Sequence, residues 1–505
     1  MSNTIPDPVV PTMLSSGPLE EVRHLKVSLS NPPTSTSEGL DFERCSALHN
    51  AIIRYQWKAR GYNLASMPTT TWWQTPQFAS QLNEIETVLP ESLIQFLKRA
   101  LNLEHWPDWH STFFHFVQSL ASPKEMWREV VNHIEYHDDD ERIALYTTNC
   151  FMKFSDQTQD GIIYDCWNHS CMYNSYDHGS FGQAEEEAPL PWQYLETVLT
   201  AWIDMIERGK AIVLSASELS HIGEDPGYNN LRKNDHSAWV WANFTRADVD
   251  DTISAWEDLV CAINDRLPAP FPRPFPSGLF RPDDLIAAGI RQGTFAWEFY
   301  TKACKPPFRF LGPGSLQVPS RDQLLNSPFE AGWKVNTKHP TMNDKPILPL
   351  PVLLGEERTK SWVDEYNYTA EPPLWGLYLD KFYDRYSHDS YEDGARLVLT
   401  ALSENTPARM LDGKKAKSID LYQIGQSPFA LDHPTPLWAI LRNFVSHVVG
   451  EQWRVGVDGV DEPISVFENL CANPEPDSEE AGENRHDDLL CTYIAGWLHC
   501  ADSGE

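Results

Sequence analysis

The chain contains no stretch long and apolar enough to span a bilayer. About 18 consecutive apolar residues are needed, and no such run occurs in its 505 residues. Met1 to Pro33 lack the apolar segment of a secretory leader. Positive charge is scarce: 40 Lys and Arg stand against 72 Asp and Glu, a formal charge of −32. That argues against a broad electrostatic grip on nucleic acid and against DNA as a partner, so any RNA contact would be local. Cysteine is sparse, scattered and odd in number, at 9, which suits reduced thiols better than a disulfide framework. Internal repeats are missing. Gly312-Pro313-Gly314 is a turn and has neither the length nor the Lys of a phosphate-binding loop. No Gly-x-Ser-x-Gly elbow is present, which sets aside an ordinary α/β-hydrolase. These absences read as a soluble cytoplasmic protein with no membrane segment, and no cofactor is expected.

What is abundant is tryptophan and proline, at 19 and 38 residues. Single cores stop growing near ~250–300 residues, so this length predicts two closely packed subdomains. The expected fold is α+β or α/β, mostly helical with a central small β-sheet. Residues 1–38, rich in Pro, Ser and Thr, read as a disordered tail. Residues 39–267 read as an α/β domain. Residues 268–356 form a Pro-rich crossing region with a helix, and 357–505 a mainly helical C-terminal subdomain.

Periodicity supplies the elements. Apolar residues at helical spacing predict helices over 42–60, 76–101, 111–136, 191–208, 245–267 and 283–304. In the C-terminal part, helices are expected over 361–366, 377–386, 391–403, 437–449 and 487–499. The runs 144–154 and 161–167, rich in β-branched and aromatic residues around a polar turn, predict a hairpin. Gly209 is placed to end the 191–208 helix, and Lys210 to Ser215 follows as a short strand. Thr245-Arg-Ala-Asp248 is a capping box opening the next helix.

The chemistry-bearing candidate is His137-Asp138-Asp139-Asp140-Glu141-Arg142, a run of acids between a helical and a strand-like segment. Asp138 and Glu141, at i and i+3, share a helical face. Such a pair can hold a guanidinium or ammonium group, coordinate Mg²⁺ through water, or act as general base. A solvated helix end explains the same residues, at some cost against the macrodipole. Asp250, Ser254 and Asp258, at i, i+4 and i+8, imitate a second metal motif of class I terpene cyclases, or simply form a polar helix face. Cys166, His169, Cys171 and His178 have ligand chemistry but no recognised zinc spacing. Ser215 and Ser217 follow a buried strand, where α/β sites gather. Either could be a nucleophile with His221 or His236 as base, or a helix cap. Basic residues concentrate over 266–309, where Arg281, Arg291, Lys302, Lys305 and Arg309 are interleaved with Phe and Trp. That pattern suits phosphate contact plus base stacking, or a Pro-braced loop with inward aromatics.

Four segments together resemble a family of fungal proteins similar to the arginine-containing cyclodipeptide synthases of secondary metabolism. They are the Asp-Asp-Asp-Glu-Arg run before an Ile/Leu/Tyr strand, Pro191-Trp-Gln-Tyr-Leu-Glu-Thr-Val-Leu199, the Val249 to Pro268 helix, and Phe308-Arg-Phe-Leu-Gly-Pro-Gly314. The likeness spans much of residues 40–330. It implies an aminoacyltransferase that joins arginine from arginyl-tRNA to a second aminoacyl group and releases a cyclic dipeptide. It implies an essential Asp-Asp-x-x-Glu motif, with its roles falling on Asp138, Asp139 and Glu141. A literal motif ending at Glu141 would need Asp at position 137, which is His137. Ser215 would carry a transient acyl group, and Arg281, Arg291, Lys302, Lys305 and Arg309 would meet the acceptor stem. Two other readings compete: a Mg²⁺-dependent terpene-cyclase-like enzyme, and a non-catalytic interaction protein with Trp-rich loops as partner surface.

Overall fold

The computed structural model describes residues 17–28, 30–34, 39–103, 112–115, 117–127, 142–148, 161–174, 193–219, 231–233, 237–326, 350–358, 374–379, 392–398, 408–409, 415–416 and 436–467. Among them lie twelve α-helices and several small antiparallel sheets, a mixed α+β architecture. The first half runs α1 (Gly17–Glu20), α2 (Phe42–Ala59), α3 (Leu82–Val88), α4 (Glu91–Leu97), β1 (Val117–Leu120), α5 (Pro123–Met126) and β2 (Arg142–Thr148). It continues with β3 (Gly161–Asp165), β4 (Ser170–Asn174), α6 (Leu195–Glu207), β5 (Ala211–Val213), α7 (Ala216–Leu219), β6 (Leu231–Lys233) and β7 (Trp239–Ala242). The second half opens with α8 (Arg246–Arg266), α9 (Pro282–Ala287), α10 (Phe295–Lys302), α11 (Arg321–Leu325), β8 (Leu350–Arg358) and β9 (Leu374–Leu379). Then come β10 (Ala395–Val398), β11 (Ala408–Arg409), β12 (Lys415–Ala416), α12 (Leu437–Val449), β13 (Val455–Gly456) and β14 (Gly459–Val460).

The expected single central sheet is instead several sheets: β1-β2-β3-β4, β5-β7-β6, β10-β9-β8 and two two-stranded ribbons. Every ladder among the described strands is antiparallel. The helix-to-strand step from α6 to β5 therefore does not begin a parallel α/β layer, because β5 pairs antiparallel with β7. The predicted hairpin is present as β2 and β3, with Arg142 opposite Asp165.

Several predicted helices are shorter or are strands, each for a local reason. Pro90 separates α3 from α4, since it cannot donate within a helix. Gly289 and Gly293, at φ +77° and +82°, interrupt the 283–304 zone between α9 and α10. In the 111–136 zone, Phe114 and Val117 are joined by a tight reciprocal turn, and β1 then lies on the edge of β2. Their three-residue spacing imitated a helix. Leu374-Trp-Gly-Leu-Tyr-Leu alternates, with Trp375, Leu377 and Leu379 in the core, so it is strand β9 where a helix from 377 was expected. A Cβ on Gly376 would lie 2.2 Å from the Leu353 carbonyl, so this pairing needs glycine there. The Ala395–Val398 segment, expected inside a helix over 391–403, is strand β10 paired with β9. The predicted helices at 361–366 and 487–499 lie outside the described residues.

The buried apolar side chains divide into two clusters. One runs from Leu19 to Ala242 and is centred on α2, α6 and the sheets β1–β4 and β5–β7. The other runs from Phe244 to Phe467, where α8 packs with α10 and α12 against β8–β10. The chain passes between these two clusters at Asn243. The capping box at Thr245 starts α8, whose Trp256, Leu259, Val260 and Ile263 belong to the second core.

The tail expected to be disordered to residue 38 is held from residue 17 onward in its described parts. Leu19, Val22 and Val27 are buried. The Arg44 guanidinium donates to the carbonyls of Leu25, Asn31 and Pro32 at 2.7, 3.0 and 2.9 Å. Lys26 pairs with Asp204 and Glu207. Among the described residues, no helix is long and apolar enough to cross a membrane.

Candidate functional site

Asp138, Asp139 and Glu141 lie outside the described residues; the strand that follows them does not. Arg142 opens β2, and its Nε lies 3.3 Å from Asp165 Oδ2 on β3. Asp165 is buried. Its Oδ1 accepts the backbone N–H groups of Trp167 and Asn168 at 2.9 and 2.7 Å, which fixes the β3–β4 turn. The turn leaves Trp167 74% exposed. His169 takes a left-handed conformation at φ +53° and brings Nδ1 to 3.0 Å from Tyr164 Oη.

Ser215 follows β5 as expected, and its surroundings are those of a helix cap. Its N–H and Oγ donate to Glu218 Oε2 at 2.8 and 2.6 Å, and Glu218 N–H donates back to Ser215 Oγ at 3.4 Å. His221 and His236 lie outside the described residues. Within reach, Glu218 is the group that could take the Ser215 proton.

The basic residues of 266–309 are spread over separate ends of α9 and α10 and the loop after them. Arg281 precedes α9, is mostly exposed, and bonds Asp284 at 3.3 Å. Arg291 is exposed and its carbonyl accepts from the Thr294 hydroxyl at 2.8 Å. Lys302 pairs with Glu298 one turn earlier. Lys305 is exposed, with its backbone N–H on Pro276 O at 2.7 Å. Arg309 bonds Gln317 and Glu356 at 2.9 and 2.8 Å and lies 4.9 Å from the Phe310 ring. Arg281, Lys302 and Arg309 therefore already have carboxylate partners. Phe280 and Tyr300 pack edge to face in the core.

Asp250, Ser254 and Asp258 line the exposed face of α8, and Asp250 pairs with Arg246. Cys171 is buried, Cys166 is half-buried, and His178 lies outside the described residues. Among the described residues, no three His, Cys, Asp or Glu side chains are arranged to hold a metal ion.

The most charged place in the described interior went unread in the sequence. Gly209, at φ +77°, turns the chain from α6 into β5. Lys210 is fully buried. Its Nζ donates to Asp393 Oδ1 at 2.7 Å and to the Asn243 carbonyl at 3.3 Å, and forms an ion pair with Asp248 Oδ2 at 3.2 Å. Arg208 Nη2 reaches Asp248 Oδ1 at 3.0 Å and Asp251 Oδ2 at 2.7 Å, and its guanidinium lies 5.3 Å from the Trp438 ring. Asp248 also closes the capping box with Thr245. Burial by itself would raise the Asp248 pKa, but Lys210 and Arg208 overcome it and hold the carboxyl below the ordinary range. At Asp393 burial prevails over Lys210 and pushes the carboxyl up to about 6. The capping box was legible. Nothing in sequence spacing joins Lys210 to a residue 183 positions away.

A second buried polar pair sits in the first core. His49 Nε2 donates to the Leu101 carbonyl at 3.0 Å, so the neutral ring accepts from Tyr146 Oη at Nδ1, 2.9 Å away. The ring stacks on Phe113 at 4.5 Å, and burial lowers its pKa to about 4.

No family model, no curated protein and no solved structure matches this chain.

Proposed function

We propose that the chain is a tRNA-dependent synthase that joins arginine to a second aminoacyl group as a cyclic dipeptide, with Asp138, Asp139 and Glu141 as its acidic machinery. The observation that carries this reading is the run of acids ending one residue before β2. There the Arg142–Asp165 pair and the tight Trp167 turn give the adjoining sheet end a rigid frame. A carboxylate pair at that end can fork onto the arginine guanidinium and take the proton of the attacking α-amine. The amine adds to the ester carbonyl of the other aminoacyl-tRNA, and the tRNA 3′-hydroxyl leaves. A second, intramolecular aminolysis closes the ring and frees the remaining ester oxygen. Both esters arrive activated, so neither ATP nor a phosphate-binding loop is required.

In this reading Ser215 Oγ, its proton taken by Glu218 2.6 Å away, first attacks the arginyl ester and releases that tRNA. The arginyl α-amine then adds to the second aminoacyl-tRNA, and the remaining ester oxygen freed at ring closure is Ser215 Oγ. Arg291 and Lys305 are exposed cations available to the acceptor stem. The −32 charge favours a modest grip and ready release of spent tRNA.

The test is expression in a host without fungal pathways, followed by mass spectrometry for a new arginine-containing diketopiperazine. Wild type yields one. Asp138→Ala and Glu141→Ala lower the yield at least ~100-fold, the scale of losing a general base. A well-expressed wild type without product overturns the proposal, and so do variants with undiminished yield.

A further inference from the structure

The two apolar cores do not merge: the buried apolar side chains form separate clusters ending at Ala242 and beginning at Phe244. What crosses between them is largely charged. Arg208 and Lys210 come from the end of α6, whose apolar face is in the first core. Asp248 and Asp251 come from the first turns of α8, Asp393 from the approach to β10, and Trp438 from α12, all elements of the second. The two cations of one tight turn therefore enter a socket of three carboxylates and an indole. The socket also grips the crossover point. Asn243 O accepts both Lys210 Nζ at 3.3 Å and the Glu392 N–H at 3.0 Å, and Ala242 N–H donates to the Lys210 carbonyl at 2.9 Å.

We propose that the Arg208-Gly209-Lys210 turn is a charged plug that locks the two cores into one cooperative unit, with Lys210 closing the lock. This inference is independent of the catalytic reading above. Exposed ion pairs contribute little, since water competes for both partners. Here the side-chain exposures of Lys210, Asp248 and Asp393 are 0%, 1% and 0%, so water has no access to replace a lost partner. Separating the cores would bare a buried ammonium on one side and two carboxylates on the other. Removing one partner instead leaves the others enclosed without a counter-charge, which is strongly destabilising, so the plug fits only while both cores keep this arrangement. Arg442, partly exposed, lies 4.0 Å from Asp251 and 5.4 Å from the Trp438 ring.

The full chain is unfolded in urea and followed by tryptophan fluorescence and far-UV circular dichroism. Wild type gives one coincident transition by both probes. Lys210→Met splits it into two, with a lower slope for each, and trypsin cleavage around residues 243–246 speeds up at least ~10-fold. Asp393→Asn keeps the Lys210–Asp248 pair, so it serves if Lys210→Met does not fold; it separates the two probes' midpoints. Leu259→Ala, which damages the second core without touching the plug, lowers the midpoint and leaves the probes coincident. The lock is overturned if wild type already shows two transitions, if the plug variants shift one coincident transition only, or if Leu259→Ala splits it as well.

Discussion

Lys210 and His49 are both enclosed, and both depend on their pairing. The Lys210 Nζ lies against three oxygens, two of them on Asp248 and Asp393. His49 has one donor and one acceptor partner, which suits only the neutral ring. That neutrality has a pH consequence. The pKa of His49 is about 4 in the folded chain against 6.5 unfolded, and His115, also buried, behaves alike. Between pH 6.5 and 4 the unfolded chain binds more protons at these sites, so their stability contribution is present above that window and lost as pH falls through it. Asp204 and Asp393, pushed up to about 6 by burial, act with the opposite sign from about pH 6 down to 3.8, because there the fold holds the extra protons. Each pKa unit corresponds to ~1.4 kcal/mol. His49→Gln is therefore expected to reduce the acid loss between pH 6.5 and 4 by about 3 kcal/mol, read as urea midpoints at pH 7, 5 and 4. An unchanged pH slope would mean that the ring titrates normally in the fold.

At the scale of elements, α8 joins local sequence logic to long-range charge. Thr245 caps the helix, and the same Asp248 carboxylate that completes the box receives Lys210 and Arg208. Thr245→Ala removes two bonds with Asp248, the cap bond from its N–H and the hydroxyl's bond to its carboxylate, and keeps the backbone N–H bond. It should lower stability by about 2 kcal/mol, more than an ordinary cap loss of ~1, while Thr245→Ser stays near wild type. Chemical denaturation of the three proteins checks this, and a loss no larger for Ala than for Ser would detach the cap from the socket. The helices α2, α6, α8 and α12 were legible because each carries an apolar stripe over at least thirteen residues. The strands at 117–120 and 374–379 were not. A strand of four to six residues offers too few alternations to outvote a chance i, i+3 spacing, and its partner lies far along the chain.

For the whole molecule, closure of the first core enlists the chain's early residues. Arg44 on α2 binds three carbonyls of the segment 25–32, and Lys26 sits between Asp204 and Glu207 on α6. Arg44→Ala should leave those carbonyls without their donor and cost about 2–4 kcal/mol, with new protease sensitivity confined to residues 17–34. Limited proteolysis with mass mapping checks it, and wild-type resistance of that segment would show that Leu19, Val22 and Val27 hold it unaided.

The sequence by itself determined the longer helices, the β2–β3 hairpin, the cap at Thr245 and the acidic run before Arg142. Each depends on residues within a few positions of one another, where periodicity, turn chemistry and charge density act directly. It also named Ser215, with the helix cap among its readings. Only the tertiary structure decided that the cores divide at Asn243, that residues 17–34 join the first core, and that Arg208 and Lys210 enter a socket of Asp248, Asp251 and Asp393. A buried charge is legible only through its partner. The partner of Lys210 lies 183 residues away, brought within 2.7 Å by the packing of two cores that no local pattern encodes.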